Sequence, residues 1–384
     1  MKKMIYLFLI FIFIGNKSYS FEMNIKTDYD KKVDKIEKEF KNKKLSGVIE
    51  EYFDKEKVSA ITPFKNGKED GLVTIYYKSG KIRATSELKD GKFNGKTIYY
   101  NEDGKLFVEE NYKNNDRNGA YKRYYPNGKL QEEGTFKNDN LNGIFKKYYK
   151  DGELKTTLTY KNGKLHGAYK KYDSKGKVYE ESTYKNDLEN GIAKFYEDGI
   201  LRSTIEYKNG KRNGKEISYY PNGKIWYYFT LKNNKYHGEA KTYNEDGTLK
   251  SEEFSKNDMR DGEVKHYFDN GKLQISQFWK ENKLHGLTRE YRENGNLKNE
   301  IMYKDDMRDG LTKEYYPNGV IYREATYKNG KLDGVVKVYD NDGELEYETT
   351  YKNDKEDGIS KEYRNGKVIS EIIYINGEFI GIKK

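Results

Sequence analysis

From about residue 40 to the end, the chain alternates runs of five to eight residues rich in Tyr, Thr, Val, Ile and Phe with polar segments that contain glycine. Runs of that length and composition predict β-strands, and the glycine segments predict the turns between them. Three glycine columns set the period. One runs Gly47, Gly71, Gly95, Gly119, Gly143, Gly167, Gly191, Gly214, Gly238, Gly262, Gly286, Gly310, Gly334, Gly358 and Gly381, with twelve intervals of 24 residues and two of 23. A second follows eight or nine residues later, from Gly80 to Gly366, and a third sits in Lys-Asn-Gly or Lys-Asp-Gly segments such as Gly91 and Gly163. These columns hold 34 of the 36 glycines, so the chain is a single tandem array.

Apolar positions repeat in step. Five residues after the first glycine stands a tyrosine: Tyr52, Tyr76, Tyr100, Tyr124, Tyr148, Tyr172, Tyr196, Tyr219, Tyr243, Tyr267, Tyr291, Tyr315, Tyr339 and Tyr363. An aliphatic residue follows two places after the turn glycine, as at Leu130 and Leu154, and an aromatic usually lies seven before the first glycine, as at Tyr160, Tyr184 and Trp279. Ser255 breaks that last column, with Phe254 one place early. Pro126-Asn127-Gly128 suits a three-residue hairpin loop with glycine in the left-handed conformation, which sets Tyr124 opposite Leu130. Counting by twos then places the tyrosine, the aliphatic residue and the following aromatic on one face, with the tyrosines from Tyr76 to Tyr363 as a structural ladder. The expected fold is all-β: an elongated antiparallel array of about 14 β-hairpin repeats of 24 residues, since one hairpin alone is marginal in water.

Composition agrees with a thin sheet. Only 34% of residues are hydrophobic against 35% charged, too few for ordinary cores in a chain of 384 residues, yet 39 Tyr and 17 Phe are too many for a disordered one. Zero Cys excludes disulfides, thiolate metal sites and cysteine nucleophiles. Lys2 and Lys3 precede an apolar run from Met4 to Ile14, and Ser18-Tyr19-Ser20 follow, the layout of a cleaved secretory signal peptide over 1–20. The net charge of +10 falls to +7 once Lys2, Lys3 and Lys17 are removed. Residues 21–39 read as a charged linker or short helix, with Val33, Ile36 and Phe40 at helical spacing, and 40–384 as the repeat array.

The unit YKNGKLHG, followed by tyrosine and NGK, resembles the MORN repeat in its bacterial variant, found also in YwqK-family antitoxin-like proteins. The resemblance implies antiparallel hairpins serving as interaction or membrane-association modules, and the array leaves no room for a kinase domain. Neither a GxxxxGK[ST] nor a GxGxxG segment occurs.

Few residues suggest chemistry of their own. His166, His237 and His285 precede the first glycine where other units carry Asn or Asp, so a turn-tolerant polar residue is the common property, and His266 lies in a strand. Glu109, Glu133, Glu181, Glu252, Glu300, Glu324, Glu348 and Glu371 form a column that Lys122, Lys146 and Lys170 should oppose as cross-strand ion pairs. Asp340-Asn341-Asp342-Gly343 begins like a calcium loop, but Tyr351 occupies the place of its distal glutamate. A lysine six before the first glycine recurs as Lys89, Lys113, Lys137, Lys161, Lys185, Lys208, Lys232 and Lys256, a candidate row for an anionic partner. The plainer reading makes these lysines solubilising turn residues.

The sequence therefore predicts a non-enzymatic, exported repeat scaffold, secreted, periplasmic or on the cell surface. It needs no cofactor and no metal, does not bind nucleic acid and has no membrane span in the mature chain. Its expected partner is a protein, an anionic surface polymer or a lipid headgroup. An antitoxin or immunity protein that masks a toxin is the alternative, and an envelope hydrolase the third choice.

Overall fold

The computed structural model describes residues 28–54 and 56–383. The expected signal peptide, 1–20, and the start of the linker lie outside the described residues. Among those described, every strand pairs antiparallel and one helix, α1 (Asp28–Lys43), precedes the strands. The described residues divide into two compact units, one up to Gly128 with Phe136–Asp139, the other Lys129–Thr135 with the described residues from Asn140 onward.

A unit of the second part shows how one repeat is built. Strand Gly143–Tyr148 turns through a loop in which the Gly152 amide donates to the Tyr149 carbonyl at 3.0 Å and the Tyr149 amide to the Glu153 carbonyl at 2.8 Å. Gly152 takes φ +99°, as a type I turn closed by a left-handed residue requires. Strand Leu154–Lys161 returns with Tyr148 opposite Leu154, the register that a three-residue loop fixes. Asn162 and Gly163, at φ +51° and +77°, then form a two-residue turn into strand Lys164–Tyr172, with Lys161 opposite Lys164.

One expectation is corrected. Tyr148 pairs with Leu154 but Lys147 pairs with Thr156, so Lys155 is an extra residue in a β-bulge. One inserted residue reverses the alternation. Tyr148, Leu154, Lys146 and Thr157 consequently share one face, while Phe145, Thr156, Leu158 and Tyr160 share the other. The invariant tyrosine and the Tyr160 column lie on opposite faces of the sheet, and the same shift recurs at Tyr172, Tyr219, Tyr267 and Tyr339. Below, these are the tyrosine face and the packed face. Phe145, Leu158, Ala193, Val264, Ile301 and Ala325 are buried on the packed face, whereas the ladder tyrosines are half-buried.

A second bulge follows each Lys-Asn-Gly turn. Leu158 pairs with Tyr169 and Tyr160 with Leu165, so Thr159 faces the excess residues His166, Gly167 and Ala168. Gly167 sits there at φ +120°, and a Cβ on it would lie 3.1 Å from that of Thr159. Both the angle and the approach require the glycine of the first column.

In the first unit, α1 docks on the packed face of the first hairpin. Val33 and Phe40 meet Ile49 and Phe64, with the Phe40 and Phe64 rings 5.5 Å apart and edge-on. The Leu45 amide donates to the Phe40 carbonyl, and the Gly67 amide to that of Leu45, which ties the helix end to the first turn.

Candidate functional site

The tyrosine face carries an ionic and hydrogen-bonded lattice. Glu181 lies opposite Lys170 within its hairpin and opposite Lys194 of the next, and accepts from the Lys170 ammonium at 2.7 Å. The Tyr196 hydroxyl donates to the same carboxylate at 3.1 Å. This three-way contact recurs at Glu109 with Lys96 and Tyr124, at Glu300 with Arg289 and Tyr315, and at Glu324 with Lys313 and Tyr339. The Lys170 hydrogen bond holds the Glu181 carboxyl below the ordinary glutamate value, and Lys96 does the same for Glu109. Burial raises Tyr267 and Tyr339, and the glutamate bond adds to it, so that both reach about 12. The glutamate column is thus structural, joining hairpins through charge and hydroxyl.

The Lys-Asn-Gly turns are joined differently. The amide of the third turn residue donates to a carbonyl 22 or 21 residues back, as Gly163 does to Leu141 and Gly210 to Glu189. Where that residue is Asn or Asp, its side chain also accepts from the backbone there. Asp187 accepts from the Leu165 amide at 2.8 Å, Asn234 from Arg212 at 2.7 Å and Asp354 from Leu332 at 2.7 Å. The column that holds His166 and His285 contacts the same turns: His166 Nδ1 is 3.3 Å from Asn186 Oδ1, and His285 Nδ1 is 3.5 Å from Asp305. His266 lies on the packed face, where burial lowers its pKa, with a further lowering from Arg260. Among the described residues no three of His, Asp and Glu converge on a metal position, and no helix is long and apolar enough to cross a membrane.

Lys89, Lys113, Lys137, Lys161, Lys185, Lys208, Lys232 and Lys256 each end a strand at such a turn, and each is exposed. None forms an ion pair or donates a side-chain hydrogen bond among the described residues. Several face another lysine across the turn: Lys89 faces Lys92, Lys161 faces Lys164, Lys208 faces Lys211 and Lys232 faces Lys235. Directly opposed like charges destabilise a hairpin slightly, so the turn edge concentrates cations that the fold itself does not use. The opposite turns mix signs, from Lys78 and Lys81 to the acidic Asp340-Asn341-Asp342-Gly343-Glu344. In the latter the Asp340 carboxylate accepts the Asp342 and Glu344 amides, an ordinary turn.

Sequence reasoning missed two exposed features. Exposed apolar residues on the tyrosine face include Leu311 and, at positions that alternate counting through the bulge assigns wrongly, Phe254, Phe278 and Met302. On the packed face, rings meet in sequence across one repeat: Tyr220–Trp226 at 5.9 Å, Trp226–Tyr227 at 4.9 Å, Tyr227–Phe229 at 5.7 Å and Phe229–Tyr236 at 4.9 Å. The run Trp226-Tyr227-Tyr228-Phe229 was the available signal.

Tandem hairpins joined edge to edge, with their side chains spent on one another and on open surfaces, define a repeat scaffold for binding. The chain belongs to the MORN repeat variant family, whose model matches twelve successive segments from residues 69–90 to 332–353. No curated protein matches. Among solved structures it is similar to the TcdB2-TccC3-TEV crystal structure at 11% identity and a TM-score of 0.14, covering 85% of this chain and 21% of that one. It is also similar to a porin-like protein from Bacteroides uniformis ATCC 8492 at 13% identity and a TM-score of 0.15, covering 56% and 86%. The chain spans about a fifth of the TcdB2-TccC3-TEV chain it matches, and scores of this size establish no common architecture.

Proposed function

We propose that this chain is a non-enzymatic MORN scaffold, exported to the cell envelope or beyond, that holds an anionic surface partner along its Lys-Asn-Gly turns. The observation that carries this reading is the row from Lys89 to Lys256, exposed and without ion pairs among the described residues. Repetition of one cation per hairpin suits a polymer with repeated negative charge, because each added contact is intramolecular once the first has formed. Export rests on Lys2, Lys3 and the apolar run from Met4 to Ile14.

The test is titration of the chain with inorganic polyphosphate and with vesicles containing phosphatidylglycerol at two ionic strengths. Binding should weaken steeply with salt and fall further when Lys161, Lys185, Lys208 and Lys232 are changed to Gln. No binding at low salt overturns the reading. Its competitor, a protein that masks a toxin, is favoured by exposed Phe254, Phe278 and Met302, since apolar contact persists in salt.

A further inference from the structure

On the packed face, three hairpins set a pair of rings across their two strands. Phe145 meets Tyr160 at 6.0 Å, Tyr169 meets Tyr184 at 5.5 Å and Tyr121 meets Phe136 at 5.5 Å, all edge-on or nearly so. At the matching positions one repeat has Ala240 and Ser255. The Ser255 column is aromatic in most repeats, and here its aromatic stands one place early, as Phe254 on the other face. A cavity of about 340 Å³ results, with Gly238, Ala240 and Ser255 among its lining residues. That volume is in the range of small-molecule sites.

Its surroundings are not those of a simple packing defect. Its lining includes Phe229 and Tyr236, the end of the ring series that begins at Tyr220, and Tyr236 and Trp226 are 46% and 47% exposed. Glu253, Asp258 and Arg260 line it as well. These are held in place: Arg260 Nε donates to Glu253 at 3.0 Å, its backbone amide donates to Asn282 at 2.7 Å, and Asp258 accepts the Tyr236 amide at 2.8 Å. Among the described residues the Arg260 terminal nitrogens, the Ser255 hydroxyl and the Tyr236 hydroxyl make no hydrogen bond. The cavity therefore combines aromatic rings with unused donors and fixed carboxylates.

We infer that this cavity is a binding site for a neutral saccharide. A sugar ring offers C–H groups on its face and hydroxyls around its rim, which suits a lining that combines Phe229 and Tyr236 with Arg260, Glu253 and Ser255. Glu253, Asp258 and Arg260 leave the site without net positive charge, so it does not select anions as the lysine turns do. The exposed rings from Tyr236 back to Trp226 extend that lining across the sheet for further sugar units. This inference does not rest on the anionic reading.

The experiment titrates the full chain with chitotriose, cellotriose and maltotriose, read by intrinsic fluorescence and by saturation-transfer NMR. At least one should bind, unchanged between low and high salt. Ser255→Tyr restores the ring that other repeats carry, so the variant should melt no lower than the parent while binding falls about tenfold or more. Ala240→Phe fills the same space from the facing strand and serves if Ser255→Tyr does not fold. No binding by any of the three sugars, or binding retained in a folded filled variant, overturns the inference. Binding of N-acetyltyrosine amide in place of the sugars also overturns it and gives the cavity to a partner protein's side chain.

Discussion

The helix-capped start of the first unit and the middle repeats of the second use one backbone design with different side-chain economies. In the first, Val33, Ile49 and Phe64 form a buried apolar group, and Val73, Leu88, Phe93 and Tyr112 form another. In the second, the matching packed-face positions hold pairs such as Tyr169 with Ser182, Ala240 with Glu253 and Thr312 with Ala325. Lys–Glu–Tyr contacts, turn-to-turn hydrogen bonds and the strand ladder run through both units, and in the second they act with single buried side chains such as Phe145, Leu158 and Val264. A hairpin repeat thus tolerates wide variation on its packed face once every neighbour supplies a paired edge.

The largest test of this contrast is Phe64→Ala, which should cost the first unit about 3–5 kcal/mol in denaturant unfolding, as a buried ring does. A loss under 1 kcal/mol would show that α1 adds little. In the second unit Gly167→Ala should cost about 1–3 kcal/mol, from its positive φ and the Thr159 contact, and hydrogen exchange should quicken in the adjoining strands. Asp187→Ala should cost about 1 kcal/mol or somewhat more, from the bond to the Leu165 amide and the left-handed backbone at φ +67°. Asp187→Gly removes the bond but suits the angle, so its melting temperature should lie between those of parent and alanine variant.

The smallest effect per site is ionic. Lys170→Ala should cost a few tenths of a kcal/mol, since that pair is partly exposed. Its glutamates nevertheless act together on acidification. Because Glu109, Glu181, Glu300 and Glu324 are lowered in the folded chain, their contribution is present above the unfolded glutamate value and is lost as pH falls through the folded values. Melting temperature should therefore drop below about pH 4.5. A flat profile from pH 7 to pH 3 would leave the carboxylate column without a role in cohesion.

Much of this was legible in the residues. The glycine columns gave the repeat, the loop chemistry gave Tyr148 opposite Leu154, and the Glu and Lys columns gave their pairing. The face of each side chain was not legible. A bulge adds one residue without any mark in composition, as at Lys155, and everything counted through it changes side. The pairing of Tyr196 with Glu181, fifteen residues apart, was hidden for the same reason. So was the cavity at Ser255, visible in sequence only as a missing aromatic.

The sequence by itself determined the period, the hairpins and their turn types, because those depend on local backbone freedom at glycine, asparagine and proline. Only the tertiary structure decided which columns meet across hairpins, which lysines remain without ion pairs and where the packed face opens. Those outcomes depend on register between strands, and register depends on bulges and on neighbours that no single repeat contains.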